Sequence, residues 1–552
     1  MPNPQTLLRE IEVLKKENKQ LKSRKRYGLV WEDKPEDVVE QCKKELPILE
    51  EVKSKAIKKE VDTPTNFLIE GDNYHALSVL NYTHARKVDV IYIDPPYNTG
   101  AKDWKYNNHF VDSKDAYRHS KWLSMMAKRI VLAKKLLKPD GVMIVAIDDN
   151  EAHHLRTLLE EIMPGYDITS ITIVHNPRGN ITNNFARTHE YALYIIPKRL
   201  SAIPRIQKTS ITPRKLRRWG HNSTRVARPT MFYPIYVSGD KITRIGEVPS
   251  PDFHPDKKNI QKNNGEIEVW PIDQDGVERR WNFGLDSVSS HLERMVAINI
   301  KGQLDIFLTE EDTTPKTVWT ESDLEAGRNG ASLVKAITGV SFPFPKSIYT
   351  VLKCVGLVVR SRPNAVVLDF FAGSGTTGHA VMMLNKEDGG KRQFILCTNN
   401  ENNIAEEVTY PRISQVIKGV KDLEDLTGIP ANFRYFKTNF IDAEPTDRNK
   451  KKLVDKSTEM LCLKEDCFVK VSEGDSYKIF KNNEERYLGI IYDDIGIKSF
   501  KKEAEKLGKK FIVYVFSLDE SAREDEFEDI QKLVELKPVP IAIFNLYKRI
   551  FK

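Results

Sequence analysis

Two apolar strands, each running straight into a tight polar turn, constrain this chain more than any other feature. Val88-Asp89-Val90-Ile91-Tyr92-Ile93 leads into Asp94-Pro95-Pro96-Tyr97, and Ala365-Val366-Val367-Leu368 leads into Asp369-Phe370-Phe371-Ala372-Gly373-Ser374-Gly375. Runs that are apolar at nearly every position suit strands buried on both faces, as in a parallel sheet covered by helices. On such sheets ligands bind beyond the carboxyl ends of the strands.

The flanking pattern agrees. Residues 67–70 read as a strand ended by Gly71-Asp72-Asn73, and 74–83 as a helix. A helix over 117–137 should stop at Lys138-Pro139-Asp140-Gly141, followed by strand 142–147, helix 150–162 and strands 168–174 and 191–196. From about Pro197 to Ser341 the alternation dissolves, which predicts an inserted domain. It returns with helix 346–359, strand 365–368, helix 377–384, strand 392–398 and helix 410–420. A small C-terminal α/β unit should hold strands at 488–492, 511–516 and 541–546 and helices at 497–507 and 524–533. At the other end, Leu7, Leu8, Ile11, Leu14 and Leu21 recur at helical spacing and predict an amphipathic helix able to pair two protomers. Loose repetition over 35–56 predicts more helix, kinked or split at Pro47. With 552 residues, two or three domains are expected.

The two turns carry complementary chemistry. An exocyclic nucleobase amine is a poor nucleophile, because its lone pair is delocalised into the ring. Acceptors for both of its hydrogens pyramidalise the nitrogen and aim the lone pair at an electrophile. Asp94 supplies one acceptor and the Pro95 carbonyl the other. Pro95 and Pro96 stiffen the backbone and remove competing donors. Tyr97 offers a flat face to an extruded base. These contacts strengthen as the amine pyramidalises, which is the condition for rate enhancement. The second turn, Asp369, Phe370, Phe371, Gly373, Ser374, Gly375 and Thr376, lets backbone approach a nucleoside-bearing cofactor closely. Its leading acid suits a cationic methionine group, which favours S-adenosylmethionine over a dinucleotide. Asp72 and Asn73 at the preceding strand end, Glu401 beyond strand 392–398, and Lys346 and Ser347 before the second half are further candidates for lining the cofactor cleft. Ser347 is also placed to cap the helix that follows.

Composition narrows the setting. The net charge of +8 is modest, but Arg214, Lys215, Arg217, Arg218, Arg225 and Arg228 fall close together with few acids among them. Such a cluster suits phosphate contact in DNA. Cys42, Cys354, Cys397, Cys462 and Cys467 are scattered, so no structural metal is expected and a reduced compartment is. No apolar run is long enough for a bilayer, and residues 1–24 lack a signal-peptide core, so no membrane partner and a cytoplasmic location are expected.

Asp94-Pro95-Pro96-Tyr97 preceding Phe371-Ala372-Gly373-Ser374-Gly375 resembles the permuted group of amino-methylating DNA methyltransferases. Tyr27-Gly28-Leu29-Val30-Trp31-Glu32, Ile91 to Gly100 and Asn399-Asn400-Glu401-Asn402-Asn403-Ile404 are similar to the modification (Mod) subunits of type III restriction–modification systems. The resemblance implies an α/β fold: a Rossmann-like S-adenosylmethionine-dependent methyltransferase sheet, circularly permuted, with an inserted target-recognition domain and a small C-terminal α/β domain. The expected divisions are an N-terminal helical region at 1–60, the catalytic half at 61–196, the target-recognition domain at 197–341, the cofactor half at 342–440 and the C-terminal domain at 441–552. It further implies N6-adenine methylation of double-stranded DNA by base flipping, a homodimer and a helicase-like restriction (Res) subunit. Two alternatives stand beside it: N4-cytosine methylation, whose sites more usually carry serine in place of Asp94, and a DNA-binding specificity subunit with dispensable methylation.

Overall fold

A computed structural model describes residues 31–59, 63–181, 183–207, 213–309, 312–420, 427–518 and 521–551. The helix expected over residues 7–21 lies outside them. The chain divides into two compact units: residues up to Ile203 together with those from Lys316 onward, and Pro204–Pro315.

The first unit is built on a ten-stranded sheet. In chain order its strands are β1 (Glu45–Glu51), β2 (Thr65–Glu70), β3 (Val88–Ile93), β4 (Leu137–Ile147), β5 (Tyr166–Val174), β6 (His189–Pro197), β7 (Val318–Trp319), β8 (Val366–Asp369), β9 (Gln393–Thr398) and β10 (Asn432–Asp442). They lie side by side as β1-β10-β2-β9-β8-β3-β4-β6-β5-β7. The run from β10 to β4 is parallel throughout. β6 is antiparallel to both its neighbours. Helices α1 (Asp37–Lys44), α2 (Asn73–Thr83), α3 (Arg118–Lys134), α4 (Ala152–Ile162), α5 (Ile348–Val359), α6 (Thr376–Asp388) and α7 (Tyr410–Lys418) accompany it. Alternate residues of β3 feed two cores. Ile91 and Ile93 join Leu77, Met126 and Leu155 from α2, α3 and α4 on one face. Val90 and Tyr92 join Val355, Val381 and Ile413 from α5, α6 and α7 on the other. Burial on both faces explains why β3 and β8 read as apolar at nearly every position.

Four expectations change. Residues 45–51 are not helix: Pro47 sits in β1, the sheet's edge strand, where a missing N–H is tolerated. Residues 316–341, assigned to the insert, belong with the first unit, because β7 extends the sheet beside β5. Residues 541–546 form helix (Ile541–Ile550), with Ile543, Phe544 and Tyr547 inward at helical spacing. Residues 524–533 divide into a 3-10 turn, Glu524–Ile530, and the approach to strand Val534–Val539. That strand lies at the edge of a five-stranded C-terminal sheet, and the Tyr547 hydroxyl ties the terminal helix to β1 by donating to the Pro47 carbonyl at 2.6 Å.

The second unit, taken by itself, holds a three-stranded sheet (Arg214–Lys215, Gln303–Leu308, Met295–Ile300) and a four-stranded one (Lys241–Ile245, Ile235–Ser238, Ile267–Val269, Asn259–Gln261). They share a core that includes Tyr233, Ile235, Trp281 and Ile306. Among the described residues no helix is long and apolar enough to cross a membrane.

Candidate active site

The two turns, far apart in the chain, are neighbours in the sheet. Val90 lies opposite Val367 and Ile91 opposite Leu368 in parallel register, so Asp94 and Asp369 emerge at the same sheet end. From β8 the chain passes through α6 to β9 on one side, and from β3 through α3 to β4 on the other. This is the topological switch point at which such sheets bind ligands.

On the β3 side, Asp94 Oδ2 accepts an ion-paired contact from Lys346 Nζ at 2.9 Å, and the same ammonium lies 3.2 Å from Glu190 Oε2. Asp94 Oδ1 is buried without a hydrogen-bond partner. The Tyr97 hydroxyl donates to Glu190 Oε2 at 3.0 Å, which fixes the ring, and Lys346 Nζ stands 4.6 Å from the ring centroid. Burial pushes the Asp94 carboxyl above its usual range; Lys346 pulls it back, and the Glu190 charge adds to the rise. Burial works against the Lys346 charge, but Asp94 and Glu190 outweigh it and hold that ammonium above its ordinary pKa. Trp122 Nε1 donates to the Pro96 carbonyl at 2.7 Å, anchoring the second proline.

The segment after Tyr97 is held by a buried carboxylate. Glu151 accepts from Asn98 Nδ2 at 2.5 Å and contacts His119 Nδ1 at 2.6 Å and His154 Nδ1 at 2.9 Å. Trp104 Nε1 donates back to Asn98 Oδ1 at 3.1 Å. Asn98 takes φ 56°, a left-handed conformation that asparagine tolerates. His119, Glu151 and His154 are the residue types and are close enough to hold a metal ion. Their contacts are at hydrogen-bond distances, which accounts for the grouping.

On the β8 side the turn is glycine-dependent, with Gly373 at φ 48° and Gly375 at φ 76°. Gly375 caps α6 without a side chain, so the N–H groups of the first helical turn are presented by backbone alone. Asp369 shapes the turn from inside. One oxygen accepts from the Phe371 N–H at 3.0 Å and the other from the Thr377 hydroxyl at 2.5 Å. Burial pushes its carboxyl up to about 7, against the pull of those two bonds and with a contribution from the Asp94 charge. Arg412 of α7, fully buried, clamps the turn from behind through Ser374 Oγ (3.1 Å) and Thr376 Oγ1 (2.7 Å). Thr409 Oγ1 donates to the Gly373 carbonyl at 2.6 Å. Phe370 is buried beneath the turn and Phe371 is half-buried. A glycine turn at a helix N-terminus, over a buried acid favoured by a cationic neighbour, fits S-adenosylmethionine.

The remaining candidates divide. Asp72 caps α2 by accepting from the Tyr74 N–H at 2.7 Å and faces Arg129 Nη2 at 3.2 Å. Asn73 donates to the Phe370 carbonyl at 2.9 Å and accepts from Arg129 Nε, tying α2 to the cofactor turn. Ser347 caps α5 through the Tyr349 N–H and donates to the Asp323 carbonyl, so its hydroxyl is engaged inside the chain. Lys346, expected at the cofactor cleft, is found on Asp94. Glu401 pairs with Lys105 at 2.6 Å.

The basic cluster is only partly available. Arg225 is buried, bonded to the Phe253 and Ser250 carbonyls and to Glu278, and stacked on Phe232. Arg217 is buried beside Asp305, which Lys215 also faces at 3.5 Å. Arg225 is withdrawn from the DNA-contact set because its partners, distant in sequence, take its donors, and Arg217 because it is buried, with Nη2 on Asp305 and its Nε and Nη1 without a partner. Arg214, Arg218 and Arg228 are exposed. Burial and the charges of Arg218 and Arg228 lower the Arg280 pKa. Sequence reasoning missed Glu190, Arg412, Arg129 and Glu151: no local motif marks any of them, and only tertiary contact gives each a role.

Known proteins resemble this arrangement in sequence. A family model described as DNA methylase, of the N6/N4 group, matches residues 88–408, more than half of the chain. The type II methyltransferase M.KpnI of Klebsiella pneumoniae is 28% identical over 69% of this chain and 90% of its own length. The EcoPI Mod subunit of Escherichia phage P1 is 27% identical over 64% of this chain and 60% of its own, and the StyLTI Mod subunit of Salmonella typhimurium 29% over 67% and 57%. The chain thus spans somewhat over half the length of these type III relatives. With both turns at one sheet end and the family match running through both, the chain belongs to the N6/N4 DNA methylase family and is an S-adenosylmethionine-dependent DNA methyltransferase.

Proposed function

We propose that the amine methylated is N6 of adenine in double-stranded DNA, and that the chain is the modification and specificity subunit of a type III restriction–modification system. The observation that carries the adenine reading is Asp94 itself: a carboxylate ends β3, one oxygen is buried without a partner, and Tyr97 is held beside it by Glu190. That oxygen and the Pro95 carbonyl accept the two amine hydrogens, while Trp122 occupies the neighbouring Pro96 carbonyl. Tyr97 stacks on the extruded base. S-adenosylmethionine, held over the glycine turn of β8, supplies an electrophilic methyl group. The reading includes Asp72, Asn73, Asp369 and Arg412 as groups that set the shape of the cofactor turn, with Arg218 and Arg228 on DNA phosphates.

The similarity to Mod subunits supports the type III assignment, with a homodimer and a Res partner in the assembly. M.KpnI favours a second reading, because the match covers nearly all of that type II enzyme: a methyltransferase acting without a restriction subunit. Single-molecule sequencing of DNA from a host expressing the chain tests both. N6-methyladenine on one strand of an asymmetric site is expected. N4-methylcytosine would overturn the adenine reading, and modification of both strands of a palindrome would favour the type II reading.

A further inference from the structure

The acceptor pocket holds three charges where the reaction calls for one. Lys346 Nζ lies 2.9 Å from Asp94 and 3.2 Å from Glu190; Glu190 is buried at 4% exposure, whereas the Asp94 side chain is a quarter exposed. Lys346 alone would cancel Asp94. Glu190 leaves the cluster one unit negative. Glu190 comes from β6, an antiparallel strand of the catalytic half, and its side chain meets Lys346 and Tyr97.

Charge matters here because methyl transfer moves it. The methyl carbon–sulfur bond breaks with its electron pair left on sulfur, and the amine lone pair forms the new carbon–nitrogen bond. Positive charge passes from sulfur to nitrogen until an N–H proton leaves through Asp94 to water. A neutral pocket would do little for that charge, whereas a pocket of net −1 that holds the amine directly favours the charge more as it arrives on nitrogen.

We propose that Glu190 is a positioning residue that offsets Lys346, keeping the acceptor pocket at net charge −1 while its second contact orients Tyr97. The two functions separate by substitution. Glu190→Gln retains an acceptor for the Tyr97 hydroxyl and loses the charge. Lys346→Met removes the cation at similar length, so that K346M/E190Q carries Asp94 alone and is again net −1. The Lys346 ammonium also faces the Tyr97 ring, which stays in every variant.

The inference rests on Asp94 as the amine acceptor, and a wild-type chain that transfers no methyl group to DNA would sink that reading first. The test therefore has two measurements on the full chain. One is single-turnover methylation with labelled donor. The other is calorimetric binding of two cofactor analogues, sinefungin (cationic) and S-adenosylhomocysteine (neutral at sulfur), without DNA. E190Q should lower the methylation rate by about tenfold or more, leave the Michaelis constant for DNA within about threefold, and lower the preference for sinefungin by about tenfold. K346M/E190Q should regain most of both losses. Retained S-adenosylhomocysteine binding shows that each variant is folded. A full rate in E190Q, or a double variant no better than E190Q in both measurements, overturns the proposal. If E190Q falls outside the fold, Glu190→Asp should keep the sinefungin preference while losing rate through Tyr97, and a lost preference there overturns it equally.

Discussion

Asp369→Asn tests the electrostatics of the cofactor turn without any ligand. Asp369 has an ordinary carboxyl pKa of 3.8 and is pushed to about 7 in the fold, chiefly by burial. Because the folded value is the higher one, the fold tolerates the protonated acid and resists the ionised one. The group is neutral to stability below 3.8, becomes increasingly unfavourable as pH rises from there to about 7, and stays so above. Linkage puts the cost at about 4 kcal/mol at pH 8 and about 1.5 kcal/mol at pH 5. Asparagine carries no charge, accepts from the Phe371 N–H and donates to Thr377. Any loss from its altered hydrogen bonds is nearly the same at both pH values and drops out of the difference. In a unit of this size 1 kcal/mol is worth about 1 °C of melting temperature. Differential scanning calorimetry should therefore show the variant gaining about 2–3 °C more on the wild type at pH 8 than at pH 5. Equal gains at the two pH values, or a larger gain at pH 5, would refute the buried-acid account. Saturating S-adenosylmethionine should shrink the pH 8 advantage, since a cation beside Asp369 stabilises the ionised form.

Asp94→Ala should reduce methyl transfer by about a thousandfold or more, since an acceptor that acts on the transition state is removed, while filter-binding affinity for DNA stays within a few-fold; lost binding with preserved methylation would reverse the assignment. Replacing Arg218 and Arg228 with Ala should flatten the plot of log binding constant against log salt by about two units; an unchanged slope places the phosphate contacts elsewhere. Arg225→Ala should leave that slope alone and destabilise the second unit by about 3 kcal/mol, because Glu278 loses its buried partner; denaturant unfolding of that unit is the check, and an altered salt slope with normal stability contradicts the packing role.

How far the sequence could be read depended on where each residue's partners lie. β3 and β8 were legible because burial on both faces writes a run that is apolar at nearly every position, and their turns because proline and glycine constrain backbone locally. Asp369 was legible as an acid at the turn, but not as one whose oxygens are both engaged by Phe371 and Thr377. Ile541-Ala542-Ile543-Phe544 fits strand and helix alike over so short a span, and packing decided for helix. Pro47 read as a kink in a helix, whereas the helix ends at Lys44 and Pro47 lies inside the edge strand β1, a placement set by pairing with β10. Arg217 and Arg225 looked like a solvent-facing basic run because Asp305, Glu278 and the carbonyls that take them lie tens of residues away. Glu190 carried no local signal, since its meaning comes from Lys346 and Tyr97.

The second unit leaves and rejoins the chain through a zipped stem: Ile206 pairs with Thr313 and Gln207 with Asp312, and Arg205 bridges to Asp312 at 2.8 Å. Its two ends therefore meet side by side. A segment closed in this way is a cassette. It can differ in length or sequence beyond that junction while the strands bearing Asp94 and Asp369 keep their register, so changes inside the second unit and changes in the ten-stranded sheet can accumulate independently.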